Sequence, residues 1–315
     1  MNISRVSSLN SNNIVSNTLA NNNQRQTMAE RNSMELSSFN PVYLSYISFS
    51  GKKDKTENFQ LNLSMAELQK RTSPEYFTTK KLLTPDSVEY QTLPAGDKKA
   101  LKHLVKAAYI LENIDKQLDN HHNLPFEQYL DGEIKKGNKR AELTTVLYDG
   151  QIGICALDSE SNKISLAKGL KDSAGKGVYP EDLGKDEFHQ ILINMLNKGK
   201  DEEVRKILSQ RTVVERDKDE LKAIDYVDKF KDDFSKMADE LDKAAKTSTN
   251  KDFNEYLELQ AKALRTADPM LDAYADKKWA ELQDTPLELT LTRENYEDQL
   301  TGTFTENEEL QKLLK

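Results

Sequence analysis

KDELKAIDYVDKFKDDFSKMADELDKAAK, residues 218–246, carries the longest hydrophobic pattern in the chain. Leu221, Ile224, Val227, Phe230, Phe234, Met237, Leu241 and Ala244 or Ala245 recur at steps of three or four, with charged residues between them. That spacing places the apolar side chains on one stripe and predicts an amphipathic helix of about eight turns. A helix with one apolar stripe must bury it against other elements, and the flanking sequence supplies candidates.

Upstream, DKKALKHLVKAAYILENIDKQL (97–118) repeats Leu101, Leu104, Ala107 or Ala108, Leu111, Ile114 and Leu118 at helical spacing, with Asp97 placed to cap the first turn. After Pro125, a shorter helix carries Phe126, Tyr129, Leu130 and Ile134 on one face, before Gly137 and Asn138 loosen it. Residues 141–157, AELTTVLYDGQIGICAL, fit helix and strand equally; 158–177 read as loop, with a short strand in ESNKISLAKG. Downstream, STNKDFNEYLELQAKALRTADP (248–269) aligns Phe253, Tyr256, Leu257, Ala261 and Leu264, with Pro269 ending the helix. A further helix spans Met270 to Leu282, and the period then changes to two in the strand Leu287–Leu291. The expected fold is α+β, mainly α: a helical scaffold over residues 59–315 with a small β element near the C-terminus.

Residues 1–58 are expected to be a disordered tail. The first 23 contain eight Asn and five Ser, too little apolar surface to offset the entropy of ordering. FNPVYLSYISFSG (39–51) interrupts it; its aromatics either dock on the folded part or a partner, or stay unstructured.

Composition narrows the function classes. Hydrophobic residues are 37% and charged residues 31% of 315, and the formal charge is −8 with pI near 5.3. That balance argues against a nucleic-acid partner, which would need a basic face. No run of 18 apolar residues is present and the first residues lack an apolar core, so no membrane partner and a cytoplasmic location are expected. The single cysteine, Cys155, excludes an internal disulfide and a cysteine zinc cage; within Ile152–Leu157 it reads as a small buried hydrophobe rather than a catalytic thiol.

Catalytic spacings are lacking. None of His103, His121, His122 and His189 belongs to an HExxH pair, and the adjacent His121 and His122 diverge in a polar loop. Asp158, Glu160 and Asn162 open like a calcium loop, but Lys163 stands where glycine is needed and Gly169 where the closing Glu belongs. SAGKG around Lys176 lacks the first glycine and the final Ser or Thr of a phosphate loop. Acidic pairs such as Asp232-Asp233 are ordinary at this charge density.

Three segments together carry a resemblance. GVYPEDLGKDEFHQIL (177–192) matches a Phe-Tyr-Pro-x-Asp-Met-x-Lys-Glu-Glu-Phe pattern at Tyr179, Pro180, Asp182, Lys185, Glu187 and Phe188. YLELQAKALRTADP (256–269) is similar to a helix in which Tyr-Leu, Arg-Ala-x-Ala-Leu and a following Asp recur. LELTLTRENYEDQLTG (287–302) is similar to an Ile-Gly-Pro-Ile-Glu-Thr-Tyr-Glu-Asp strand at Glu294, Tyr296, Glu297 and Asp298, although Leu291 and Thr292 replace its Gly and Pro. In order and spacing the three resemble the N-terminal, substrate-side portion of the dipeptidyl-peptidase III-like zinc metallopeptidases, over roughly residues 97–302.

The resemblance implies a peptide substrate, held along a strand edge by backbone hydrogen bonds. It assigns that role to Glu288, Leu289, Thr290, Leu291, Thr292 and Arg293, with Glu294, Tyr296 and Asp298 shaping the turn. The family's zinc is held by an H-E-x-x-G-H helix, which these 315 residues do not contain. The expectation is therefore no catalytic residue, metal ligand or cofactor in this chain, no peptidase activity alone, and a catalytic lobe as missing partner. The alternative is a non-catalytic protein- or peptide-interaction protein on the same scaffold.

Overall fold

The computed structural model describes residues 58–75, 83–151, 153–157, 163–291 and 300. In chain order the elements are α1 (Met65–Arg71), α2 (Val88–Thr92), α3 (Ala95–Asp119), α4 (Asn123–Lys135), α5 (Lys139–Gln151), β1 (Cys155–Leu157) and β2 (Lys163–Ser165). They continue with α6 (Lys185–Asn197), α7 (Asp201–Ile207), β3 (Thr212–Asp217), β4 (Glu220–Asp225), α8 (Tyr226–Lys229), α9 (Lys231–Ala245), α10 (Lys251–Thr266) and α11 (Pro269–Ala280). The class is α+β, mainly α. All but one of the tail residues 1–58 lie outside the described residues, as do 158–162 of the calcium-like loop.

The described residues form two compact units. One comprises 58–75 with 122–172; the other comprises 83–121 with 173–291 and Leu300.

In the smaller unit, α4 and α5 pack as a hairpin and α1 lies on α5. The predicted face of α4 is buried at Phe126 and Leu130, and Phe126 joins Tyr148, Leu68, Ile154 and Leu166 in one core. The Asn123 side chain accepts from the Ile154 backbone at 2.8 Å, and its carbonyl accepts from the Tyr148 hydroxyl at 3.0 Å, so its burial leaves both groups satisfied. Residues 141–157 resolve into both of their possible readings, helix α5 and then strand β1, which pairs antiparallel with β2. Cys155 packs against this core as a partly buried hydrophobe.

In the larger unit, α9 packs between α3 and α10, and α11 lies on α10. The apolar stripes meet as the spacing predicts: Leu104, Leu111 and Ile114 of α3, Phe234, Met237 and Leu241 of α9, and Phe253, Leu257 and Leu264 of α10 are buried together. Asp97 does not cap its own helix. It is fully buried, and its carboxylate accepts from the Thr249 backbone at 2.8 Å and the Thr249 hydroxyl at 2.6 Å, fastening the α9–α10 loop. Pro269 does not merely end α10; it opens α11 behind an Asp268 cap, while Ala267 closes α10 in a left-handed conformation (φ 54°).

The predicted 218–246 helix is a correction. Only Lys231–Ala245 forms its long helix; Leu221 and Ile224 belong to β4, paired in register with Arg216 and Val213 of β3. The reason lies upstream of the quoted stretch. Thr212-Val213-Val214 is a β-branched run that favours extended backbone, and Lys218 turns the chain back with φ 58°. A three-residue step between Leu221 and Ile224 fits a helix but does not require one.

Candidate functional site

The candidate peptide-binding edge begins where α11 ends. After Asp284 (φ 52°), residues 287–291 show the alternation of a strand: Leu287, Leu289 and Leu291 are buried, while Glu288 and Thr290 are half-exposed. Burying each leucine contributes about 1.5–3 kcal/mol, and a slip by one residue would turn all three outward, so this register is strongly fixed. Among the described residues, no backbone–backbone hydrogen bond involves Leu287 to Leu291, and the paired strands are the β1–β2 and β3–β4 hairpins. Thr292, Arg293, Glu294, Tyr296 and Asp298 lie outside the described residues, so the structure brings together only Glu288, Leu289, Thr290 and Leu291 of the predicted set.

Tyr256 of α10 anchors this segment. Its ring is buried, and its hydroxyl hydrogen-bonds the Gln260 side chain and the Leu291 backbone. Burial, and then the negative charge of Asp276, push its phenol well above the ordinary tyrosine range; the Gln260 and Leu291 hydrogen bonds act against this, and Glu288 adds to the rise. Sequence reasoning placed Tyr256 on the buried face of its helix but gave no sign of its distant partner.

The 177–192 segment proves to be a structural fastening. Tyr179 donates to the Ile207 carbonyl at 3.1 Å and packs edge-on against Phe188 at 5.3 Å. Asp182 and Glu187 both bind Arg216 of β3. The guanidinium donates to Glu187 at 2.8 and 3.0 Å and to Asp182 at 3.1 and 3.2 Å. Those bonds hold both carboxyls below their usual range and Arg216 above its own. The segment also extends the hairpin, since the Val214 N–H donates to the Val178 carbonyl at 2.8 Å. Pro180, which has no N–H, follows soon after. An open hollow of about 450 Å³ lies here, lined by Gln117, His121, Pro180, Val214, Lys229 and Phe230 among others. Arg216 escaped the sequence reading because its strand adjoins the stretch read as helix; the Thr212–Val214 run was the available signal.

The histidines do not converge. His103 Nδ1 meets Glu240 at 2.6 Å, joining α3 to α9, and His121 Nε2 donates to the Tyr179 carbonyl at 3.0 Å. Among the described residues, no three His, Cys, Asp or Glu side chains are grouped to hold a metal ion. Among the described residues, then, no donor set fits the zinc that the sequence resemblance implies. No described helix is long and apolar enough to cross a membrane.

No protein-family model and no curated protein matches the chain. Two solved structures do. The dipeptidyl-peptidase III of Caldithrix abyssi aligns with a TM-score of 0.52 and 24% identity, and that of Corallococcus sp. strain EGB with 0.51 and 18%. The fold is dipeptidyl-peptidase III-like. Each match covers 62% of this chain and 35% of the solved one, so the likeness spans about a third of those proteins. Within a dipeptidyl-peptidase III-like scaffold, the fastening at Arg216 and the anchor at Tyr256 are both contacts between residues far apart in sequence.

Proposed function

We propose that this chain is the peptide-binding, substrate-side portion of a dipeptidyl-peptidase III-like zinc metallopeptidase, working in the cytoplasm. The complete machine would release dipeptides from peptide N-termini. One observation carries the reading: Leu287–Leu291, in a scaffold of this fold, turns its leucines into the core and leaves its backbone without a backbone partner among the described residues. An extended peptide can add to such an edge through main-chain hydrogen bonds. Thr292, Arg293, Glu294, Tyr296 and Asp298 continue the same site in this reading. Zinc enters with a separate catalytic lobe, because four dispersed histidines supply no ligand set here.

Amide hydrogen exchange of the full chain, with and without millimolar unstructured peptide, tests the binding half. Slowed exchange at 288–291 is expected; unchanged exchange there overturns it. The catalytic half is tested with zinc and a chromogenic dipeptidyl substrate. The purified chain should release no product, and robust release would refute the division of labour.

A further inference from the structure

The first half of α3 carries a charge opposite to that of the chain. Residues 98–111 hold four lysines, no arginine and neither Asp nor Glu, in a protein whose formal charge is −8. Lys99, Lys102 and Lys106 are exposed and, spaced three and four apart, run along one side of the helix over about 10 Å. Lys243 of α9 joins them, because it and Lys106 reach the same Glu240 carboxylate at 2.7 and 3.9 Å. That carboxylate also meets His103 Nδ1 at 2.6 Å, and its single charge cannot neutralise both lysines. Among the described residues, Lys99 and Lys102 make no ion pair. Beside the lysines, Val105 is 43% and Tyr109 51% exposed. They stand one turn apart, each three residues after a lysine, so the apolar pair and the cations form one continuous face. An apolar centre bordered by charge is the make-up of a protein interface.

We infer that this face of α3, with Lys243 of α9, docks an acidic segment of a partner protein. Asp or Glu side chains of the segment lie over Lys99, Lys102 and Lys106, and an apolar side chain rests on Val105 and Tyr109. Charge complementarity decides the occupant. An anionic membrane or a nucleic acid spreads its charge over a wide area and so meets the net negative field of the whole chain. A short acidic segment feels mainly the charges within a Debye length, about 8 Å at physiological salt, and within that reach of α3 the lysines dominate. Phosphate recognition also favours the bidentate fork of arginine, which residues 98–111 lack. The face shares no residue with the Leu287–Leu291 edge, so it stands or falls independently of the peptide-binding reading.

Fluorescence anisotropy on the full 315-residue chain tests this with a labelled, end-capped amphipathic peptide that carries Glu on one stripe and Leu on the next. Two companion peptides replace its Glu or its Leu residues with Gln. The Glu–Leu peptide should bind about tenfold more tightly than the peptide without Glu at low salt, with the gap closing in about 0.5 M salt. Lys102→Glu should weaken the Glu–Leu peptide about fivefold, since it replaces an attraction with a repulsion. Lys262→Glu, the same change of net charge at an exposed position of α10, should leave binding unchanged. Tyr109→Ser should weaken the Glu–Leu peptide about threefold and leave the peptide without Leu unaffected. All three variants lie at exposed positions and should keep the wild-type Tm, which separates lost docking from lost folding. No binding of the Glu–Leu peptide at millimolar concentration, equal weakening by Lys102→Glu and Lys262→Glu, or equal effects of Tyr109→Ser on both peptides overturns the proposal. Tighter, Lys102-dependent binding to phosphatidylserine vesicles or single-stranded RNA than to the peptide also overturns it, by assigning the face to a phosphate-bearing surface.

Discussion

Replacing Tyr256 with Phe removes one oxygen and tests what holds the candidate edge in place. The ring stays, so the packing of Tyr256 against the core is unchanged. What is lost is the hydroxyl's hydrogen bonding to the Gln260 side chain and the Leu291 backbone. Each such bond contributes about 1 kcal/mol net, and a partner left buried and unsatisfied costs about 1–3 kcal/mol. Gln260 is 3% and Leu291 5% exposed, so water cannot readily replace the hydroxyl. The expected loss is about 2 kcal/mol, or a Tm lower by about 4–8 °C for a unit of this size. It should be concentrated at the segment: amide exchange at Leu289–Leu291 should speed up while the centres of α9 and α10 stay protected. The pH dependence gives an independent check with a fixed sign. Burial and neighbouring negative charge raise the folded-state pKa of Tyr256, so its stabilisation is complete below the ordinary tyrosine value near 10 and is lost as pH rises beyond it. Tyr256→Phe should therefore lose stability less steeply above pH 10 than the wild type. A variant that melts within about 1 °C of wild type, with unchanged exchange at Leu291, would refute the anchoring role.

Three other substitutions test the scaffold around the site. Gly177→Ala should be among the most damaging single changes, because the added Cβ would lie 1.8 Å from the Gln117 carbonyl oxygen; a loss of about 3 kcal/mol or more is expected, read as a fall in soluble yield and Tm, and a melting point within 2 °C of wild type would contradict the close approach. Arg216→Ala should lower Tm by only about 1–3 °C, because solvent screens its exposed partners Asp182 and Glu187. Their depressed pKa values mean that the Arg216 bonds help above the ordinary carboxylate range near 4 and fade as pH falls below it, so wild type and Arg216→Ala should converge in acid thermal melts. Asp97→Ala should cost about 1–3 kcal/mol in urea unfolding, since the Thr249 N–H and hydroxyl both lose a buried acceptor.

What was legible in the sequence was burial, and what was not was partnership. The stripes at Leu104–Ile114, Phe234–Leu241 and Phe253–Leu264 are buried as their spacing requires, because a helix fixes which side chains share a face. Asp97, Tyr256 and Arg216 were placed in or beside predicted elements, yet their partners stand 152, 35 and 29 or 34 residues away, beyond the reach of any local period. The 218–246 stretch failed for a related reason. Leu221 and Ile224 are three apart, which suits a helical turn, but they alternate equally well with their neighbours in a hairpin once Thr212–Val214 offers a second strand. A short apolar spacing is satisfied by two geometries, and the long-range partner chooses between them.

The same logic bears on Leu287–Leu291. Its alternation survives as alternate burial although no ladder partner is present among the described residues, so among these residues the leucine packing and the Tyr256 anchor set its orientation. A strand ordered by neighbours in a sheet has its backbone groups already committed, whereas a segment ordered from beneath by its side chains keeps them available. That separation of roles is what a peptide-adding edge requires. The core fixes the register and the Tyr256 anchor fixes the end; in the proposed reading, the lateral N–H and C=O groups are the ones an extended peptide would pair with. Under the proposed reading, Leu291 in place of the Gly of the resembling strand is compatible with peptide binding, because main-chain pairing depends on where the backbone is held, and three buried leucines hold it.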